Sequence, residues 1–527
     1  MVLCLSGVVP QPSTLPRSDF DASQDHFQFV CPSARRPPAT SRCLSTVKFS
    51  VAAVAAGMYI GSVTAEVTAA AGIATPATTD AGFWYIVATA FFVLLVVEAT
   101  KKFFSPRACL NTDGMSSKTG IAVALPYRGT RRCIYLDYNA TSPIFPEVSR
   151  EMFPFLCECF GNPSSGHALG RACKKAVVLA RARVASLLGC SPEEVVFVAS
   201  GSEADNHAIL ASLALHAEVA TTPASAASSS LPHVVSSAIE HPAITRCLNH
   251  LVAEGKVEVT FVGVDEEGRV SVEDVVGAFR PETALVTIMH SNNEVGSLQP
   301  ITEIAEACRQ RGIMCHTDAA QSIGKVSVKV ADLGVDMLTL VGHKFGAPKG
   351  VAALFVRRGL ALPPMIHGGG QEAGRRAGTE NVLLISGMGK AAEIVDVELE
   401  RLSKHLAAMR ERLLELLMAA SLGDGVKVHG PRNPSLRLPN TLSIGLPGVD
   451  ARVLLERLSE TVAASAGSAC HAGEATMSGV LQAMGVDEPT GFGTLRLSVG
   501  RHTTRKEVDQ AGAAIVREAT TMLAAEK

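Results

Sequence analysis

A chain of 527 residues has room for two or three domains, each with its own core. Lys plus Arg number 48 against 50 Asp plus Glu, so no strong field of either sign points to a nucleic-acid partner. The 13 cysteines are scattered singly and the nearest pair, Cys157 and Cys159, is spaced C-x-C. That spacing implies no metal site and no disulfide framework, and free thiols in a reducing compartment are the expectation.

Residues 1–50 are rich in Ser, Pro and Arg (Arg17, Arg35, Arg36, Arg42) and read as a disordered or targeting leader. No Lys or Arg occurs between Lys48 and Lys101, and residues 51–100 are read as one or two membrane helices. The stronger candidate is Ala81 to Val97, apolar throughout and about 17 residues long, the lower limit for a span. It opens on Trp84 and Tyr85 and is closed by Lys101-Lys102. Val51 to Gly72 is Ala/Gly-rich and carries Glu66, which is costly at a bilayer centre. Two insertions make a hairpin with basic flanks on one side, leaving the rest of the chain facing the cytosol or an organelle interior. A basic, Ser-rich leader before an apolar segment equally reads as an import signal to a plastid or mitochondrion. Residues 101–131 are a linker.

From Ile134 onward short apolar runs alternate with helical patterns. Glu194 to Val198, His233 to Val235, Val257 to Val262 and Ala284 to Met289 read as strands, and Ala172 to Leu188 and Ile301 to Arg311 as amphipathic helices. The alternation predicts an α/β fold with a wound, mostly parallel sheet and its ligand at the carboxyl ends of the strands. Glu218 to Leu231 is low in complexity and reads as an exposed loop, and Val395 to Ala420 as a long charged helix bridging to a smaller C-terminal α/β domain. The large domain is placed at 132–395, with the start of the small domain near 132–150, and the small domain at 396–527.

Asp318 lies just past the apolar run Gly312 to Cys315, and His343-Lys344 just past Met337 to Val341. Such a pair suits pyridoxal 5′-phosphate: the lysine forms the Schiff base and the aspartate keeps the pyridine nitrogen protonated. Taken singly, Gly-His-Lys is a turn beside a surface lysine and the aspartate a helix cap. Ser200 to Asn206 follows a strand and opens a helix, a phosphate site through N–H groups and helix dipole, or a capping box of Ser200 with Glu203.

In their fixed order these pieces resemble the NifS-type cysteine desulfurase and selenocysteine lyase family of fold-type I pyridoxal-phosphate enzymes, from about Ile134 to Val508. The resemblance implies that Gly201 and Ser202 hold the cofactor phosphate, although Val198-Ala-Ser-Gly-Ser202 departs from the usual Thr-Ser-Gly-Gly/Ala-Thr. It gives His241 the role of stacking on the cofactor and carrying protons, and Asn293 that of contacting cofactor and substrate. Gln321 is matched to the phenolic oxygen and Asp318 to the pyridine nitrogen. Val341 stands where desulfurases often have a phosphate-binding serine, while His343 remains to reach the phosphate; Gly346-Ala347 replaces the usual Tyr-Gly. Gly368-Gly-Gly-Gln-Glu372 with Arg376 to Asn381 resembles a dimer-crossing loop in which Thr379 meets the phosphate of the partner subunit, implying a homodimer.

Ser465 to His471 resembles the family's mobile loop with Cys470 as nucleophile, His471 helping to ionise it. Leu495 to Arg501 matches the motif whose Arg496 grips the substrate carboxylate, and Asn139, in Tyr135 to Thr141, lies near the same site. The implied reaction releases alanine after Lys344 or His241 moves protons, with Cys470 taking sulfur as a persulfide or guiding selenium release. Val341-Gly-His-Lys344, Ala469-Cys-His471 and Leu495 to Arg505 lean towards selenocysteine lyase acting on L-selenocysteine, as does the expected lack of a C-terminal tail for an iron–sulfur scaffold. The alternative is a cysteine desulfurase passing sulfur from L-cysteine to an acceptor protein. Another aminotransferase would not need the Cys470 loop, and a non-catalytic membrane-anchored member would not need every reacting position.

Overall fold

The computed structural model describes residues 133–220, 230–420, 422, 425–471 and 474–525. The chain enters through a short strand, β1 (Ile134–Tyr135), and two helices, α1 (Pro146–Cys157) and α2 (Ala168–Leu188). Then come β2 (Val195–Val198), α3 (Gly201–Ala220), β3 (His233–Ser237), α4 (Pro242–Ala253), β4 (Glu258–Val262) and β5 (Thr283–Thr287). α5 (Ile301–Arg311), β6 (Met314–Asp318), β7 (Met337–Val341) and β8 (Ala352–Val356) complete a seven-stranded sheet in the order β2-β8-β7-β6-β5-β3-β4. Strands β3 to β7 run parallel, and β8 runs against both of its neighbours, β7 and β2. The expected mostly parallel sheet is present.

Both faces of this sheet are covered, so its strands read as continuous apolar runs rather than as alternation. Val195 and Phe197 of β2 point into the core shared with α2, as do Leu338 and Leu340 of β7. Val196, Val198 and Met337 point the other way, against Ala204, Ala208 and Ala211 of α3. Truncating Leu338 or Leu340, both fully buried, to Ala would cost about 2–5 kcal/mol.

A 38-residue helix, α6 (Val382–Ala419), leads to the remaining elements. It starts thirteen residues before the expected Val395, capped by Asn381, whose side chain accepts from Leu384 N. Its first turns are buried and uncharged, so they lack the polar face that marks a surface helix. Gly389 lies there because a Cβ would come within 2.4 Å of Ala180 Cα on α2.

Past α6, strands β9 (Lys427–His429), β10 (Thr441–Gly445), β11 (Val462–Ala463) and β12 (Ser465–Ala466) are followed by a hairpin of β13 (Ser468–His471) and β14 (Glu474–Met477). β15 (Thr494–Ser498) and α7 (Arg505–Ala525) end the chain's described part. β12-β15-β10-β9 form an antiparallel sheet, and β1 pairs with β11, Ile134 opposite Val462. The expected loop around Cys470 is therefore strand, with Cys470 opposite Ala475.

Among the described residues no helix is long and apolar enough to cross a membrane. The candidate segments 51–72 and 81–97, the leader and the linker lie outside the described residues. Of the expected loop 218–231, α3 takes up residues to Ala220 and residues 221–229 lie outside the described residues.

Candidate active site

The carboxyl ends of β3, β5, β6 and β7 share one edge of the sheet, as parallel pairing requires, and each hands on to a candidate residue. Lys344 ends a short 3₁₀ turn, Gly342–Lys344, directly after β7. Gly342 is needed there: a Cβ would lie 2.9 Å from the Val351 carbonyl. Lys344 Nζ donates to the carbonyls of Asn139 at 2.8 Å and Ala140 at 3.1 Å. Burial, with Arg496 beside it, brings the ammonium down to about 8 against the pull of Asp318 and Asp137.

Asp318 ends β6 and is buried, with Oδ1 accepting from Ala320 N at 2.8 Å. Burial pushes its carboxyl up, while the Ala320 N–H, His241 and Lys344 pull it back. His241 caps α4, its Nδ1 accepting from Ala243 N at 3.1 Å, so the neutral ring carries its proton on Nε2. His241 is exposed on one side, yet the protein around it desolvates and lowers the imidazole; Asp318 acts in the opposite sense and Lys344 lowers it further. The residue before it, Glu240, takes Met289 N at 2.9 Å and the Ser237 hydroxyl, fixing the end of β3 to that of β5. Burial raises the Glu240 carboxyl to about 8. Sequence reasoning passed over Glu240, since a carboxyl beside a candidate histidine looks like a first-turn helix acid.

At the start of α3 the capping reading and the phosphate reading coexist. Glu203 N donates to Ser200 Oγ at 3.1 Å, and Glu203 Oε2 accepts from Ala199 N at 2.8 Å. Its other oxygen pairs with Arg376 Nε at 2.8 Å. Ser202 is exposed, and the first N–H groups of a helix have no intrahelical acceptor. His343 Nδ1 lies 3.1 Å from Thr141 Oγ1, and burial with Lys344 and Lys349 takes its imidazole down to about 4, so the ring is neutral. Thr379 is exposed and lines a separate hollow of about 230 Å³ with Val198, Ala199 and Arg376. Lys344 and Asp318 are not in its lining.

Asn139 is a hub. Its amide donates to the Asn293 carbonyl at 3.0 Å and Thr441 Oγ1 at 2.9 Å and accepts from Asn440 Nδ2 at 2.9 Å. Its carbonyl takes both Lys344 Nζ and Gln321 Nε2, the latter at 2.9 Å. The side chain is buried, and its amide is engaged by Asn293, Thr441 and Asn440.

Arg496, on β15, donates through one Nη to Asp137 Oδ1 and Ser465 Oγ, both at 2.9 Å, and its other Nη lies 3.5 Å from the Asn293 carbonyl. Ser465 also donates to Asp137 Oδ1 at 2.9 Å, and the Arg496 Nε is buried without a partner among the described residues. Asp137 and Ser465 were not anticipated, though Ser465 is the cross-strand neighbour of Arg496 in the β12–β15 register. Hydrogen bonds and charge interactions thus link Asn139, His241, Asn293, Asp318, Gln321, His343 and Arg496 to Lys344 directly or through one another, with Cys470 on the β13 backbone nearby in sequence to Ser465.

The aminotransferase class-V family matches residues 134–511. "Cysteine desulfurase IscS" of Clostridium botulinum (strain Hall) is 41% identical over 377 residues, spanning 71% of this chain and 91% of that protein. The solved structure titled "NIFS-LIKE PROTEIN" is 33% identical with a TM-score of 0.66, covering 74% of this chain and 100% of that one. "SspA in complex with cysteine" is 33% identical with a TM-score of 0.59, covering 70% and 99%. These names favour the cysteine desulfurase alternative over the lean towards selenocysteine lyase.

The cofactor is pyridoxal 5′-phosphate, and the residues fit it: a buried carboxylate at Asp318, a half-buried amine at Lys344, a neutral His241 in the field of both, and a helix N-terminus at Ser202. By family match, identity and coverage, the chain is a member of the aminotransferase class-V family, among the NifS-like homologues of the cysteine desulfurases.

Proposed function

We propose that the chain is a cysteine desulfurase that converts L-cysteine to L-alanine and leaves the sulfur on Cys470 as a persulfide. The observation that carries this reading is the proximity of Lys344 to both Asp318 and Arg496. Arg496 in turn faces the same carbonyl, that of Asn293, as the hub residue Asn139, whose own carbonyl takes Lys344. The likeness to a protein solved in complex with cysteine supports the substrate.

When bound, the cofactor withdraws electrons from the amino acid and makes its β-substituent labile. Arg496 holds the substrate carboxylate, with Asp137 and Ser465 fixing the guanidinium plane. Lys344, an amine that titrates near 8, takes and returns the α-proton. Asp318 keeps a positive charge favourable at its end of the site. The Cys470 thiolate attacks the substrate sulfur; the carbon–sulfur bond breaks with its electron pair going to the β-carbon, which takes a proton, and a sulfur–sulfur bond forms on Cys470. The glycine-rich turn at 368–370 and the exposed Thr379 support a homodimer in which Thr379 meets the partner's cofactor phosphate.

The test is a product assay with cysteine and selenocysteine offered separately and alanine, sulfide and selenide measured. Alanine and sulfide from cysteine, with a reductant to discharge Cys470, are expected. Selenide from selenocysteine with no turnover of cysteine overturns the reading.

A further inference from the structure

Lys325 is a lysine in the wrong place for solubility. It is 5% exposed, in the turn after β6, and lines a small cavity with Lys344 against Val395, Leu402 and Leu406. Gly324, at φ +72°, turns the chain so that Lys325 enters the interior. Among the described residues the Nζ has one hydrogen-bond partner, Gln321 Oε1 at 2.9 Å. Burying an amine against aliphatic walls is costly unless its donors are used, and here that donor goes to one amide.

A lysine nitrogen bound to hydrogen donates and Gln321 has one oxygen and one NH₂ to turn, so the contact decides which way the amide faces. With Oε1 towards Lys325, Nε2 is the group that meets the Asn139 carbonyl, the same oxygen that accepts from Lys344. Reversing the amide would set its oxygen against that carbonyl and its NH₂ against the Lys325 donors. Lys325 and Lys344 are therefore joined through Gln321 and Asn139 by three hydrogen bonds.

We propose that Lys325 is a positioning residue that locks the Gln321 amide with its NH₂ side towards the active site, making Gln321 an obligate donor to the phenolic oxygen of the cofactor. This rests on the reading of Gln321 as the residue facing that oxygen. Burial disfavours the proton on Lys325 most, and Lys344 and Arg496, the charged groups that face it, add to this. An ammonium has no acceptor and enforces this orientation; a neutral amine still donates to Oε1, and the Asn139 carbonyl opposes the reversed amide in either state.

The experiment follows the visible absorbance of bound pyridoxal phosphate against pH, and its affinity for the apoprotein, in four variants of the full chain. The transition reports the group at Lys344, which Arg496, Asp318 and Asp137 also face, so those residues stay unchanged. Without a fixed donor, charge on the phenolic oxygen is left to hold the neighbouring proton. Lys325→Met is therefore expected to raise the midpoint by about one pH unit and weaken the cofactor about tenfold. Lys325→Gln, which keeps an N–H donor, is expected to restore both. Gln321→Leu should match Lys325→Met, and the double variant should go no further than Gln321→Leu alone. Additive shifts, or an unchanged midpoint in Lys325→Met, overturn the proposal. Should Lys325→Met not fold, the double variant removes both polar groups together, and a midpoint different from that of Gln321→Leu overturns it equally. If the wild-type chain takes up no pyridoxal phosphate, the functional reading falls and this inference with it; if it binds and Lys325→Met is indistinguishable, only the inference falls.

Discussion

Val341 packs onto Gly201: a Cβ built at Gly201 would lie 2.5 Å from Val341 Cγ2. The valine that precedes Gly-His-Lys344 thus fills, with a methyl group, the space beside the N-terminus of α3. Valine is stiff at χ1 and sits in the buried end of β7, so it cannot turn aside. Gly201→Ala is expected to cost about 1–3 kcal/mol in urea unfolding and to weaken pyridoxal phosphate. Val341→Ala in the same chain should recover most of both losses. Full cofactor affinity in Gly201→Ala alone would show that the contact is not what shapes this end of the site.

Lys344 gives a pH dependence whose sign is fixed by its neighbours. Burial and Arg496 depress its amine to about 8, so below that pH the folded apoprotein holds it protonated and unable to attack the cofactor aldehyde. The rate of pyridoxal-phosphate uptake should rise about tenfold per unit below about pH 8 and level off above it. Arg496→Gln removes a cation and should move the inflection up; Asp318→Asn removes an anion and should move it down. Stopped-flow absorbance on the apoprotein reads all three, and an inflection that ignores Arg496 would refute the assignment.

The glycine-rich turn stores strain that one substitution relieves. Glu372 and Ala373 have φ of 50° and 58°, in the left-handed region that β-carbons resist. Glu372 is held there by Arg181, whose Nη1 meets Oε2 at 2.7 Å, and by Phe197 N at 2.9 Å. Ala373 is exposed and makes no such bond, so Ala373→Gly should stabilise by about 0.5–1 kcal/mol, the strain released less the backbone entropy added. Glu372→Ala, which leaves the Arg181 guanidinium with only the Val195 carbonyl and the Phe197 ring and leaves Phe197 N without its acceptor, should cost about 2–4 kcal/mol. Denaturant unfolding of the two variants checks both signs; a destabilised Ala373→Gly would mean the turn is not strained at that residue.

Lys344 and Asp318 were legible because each follows an apolar run that becomes a strand of a doubly covered sheet, and carboxyl ends of such strands are where ligands bind, whereas His241 was reached only through the family resemblance. The Asp137–Arg496 pair was not, because its members are 359 residues apart and meet only when β1 and β15 converge. Lys325 was invisible for another reason: a lysine after a glycine reads as a surface turn until packing encloses it. The first turns of α6 were missed since a buried helix shows no polar face, and Gly387 and Gly389 weaken the pattern further. Asn139 was legible as a member of the site and not as its hub, since the partners of an amide are set by tertiary contacts alone.

Cys470→Ser carries the reaction's central step. A desulfurase needs a thiolate to attack the substrate sulfur, and a serine hydroxyl is a poor nucleophile for it, so sulfide release from cysteine should fall on the order of a thousandfold. Cofactor absorbance should be unchanged, since Lys344, Asp318 and His241 are the residues placed to hold the ring. A selenol ionises more readily and leaves more easily than a thiol, so turnover of selenocysteine should fall less than turnover of cysteine. The ratio of the two rates is therefore the telling measurement, taken with alanine as the common product. Loss on cysteine alone fits Cys470 as sulfur acceptor; equal loss on both fits a required proton donor as well. If Cys470→Ser leaves both rates and their ratio as in the wild type, the sulfur goes elsewhere and the persulfide step proposed for Cys470 is wrong.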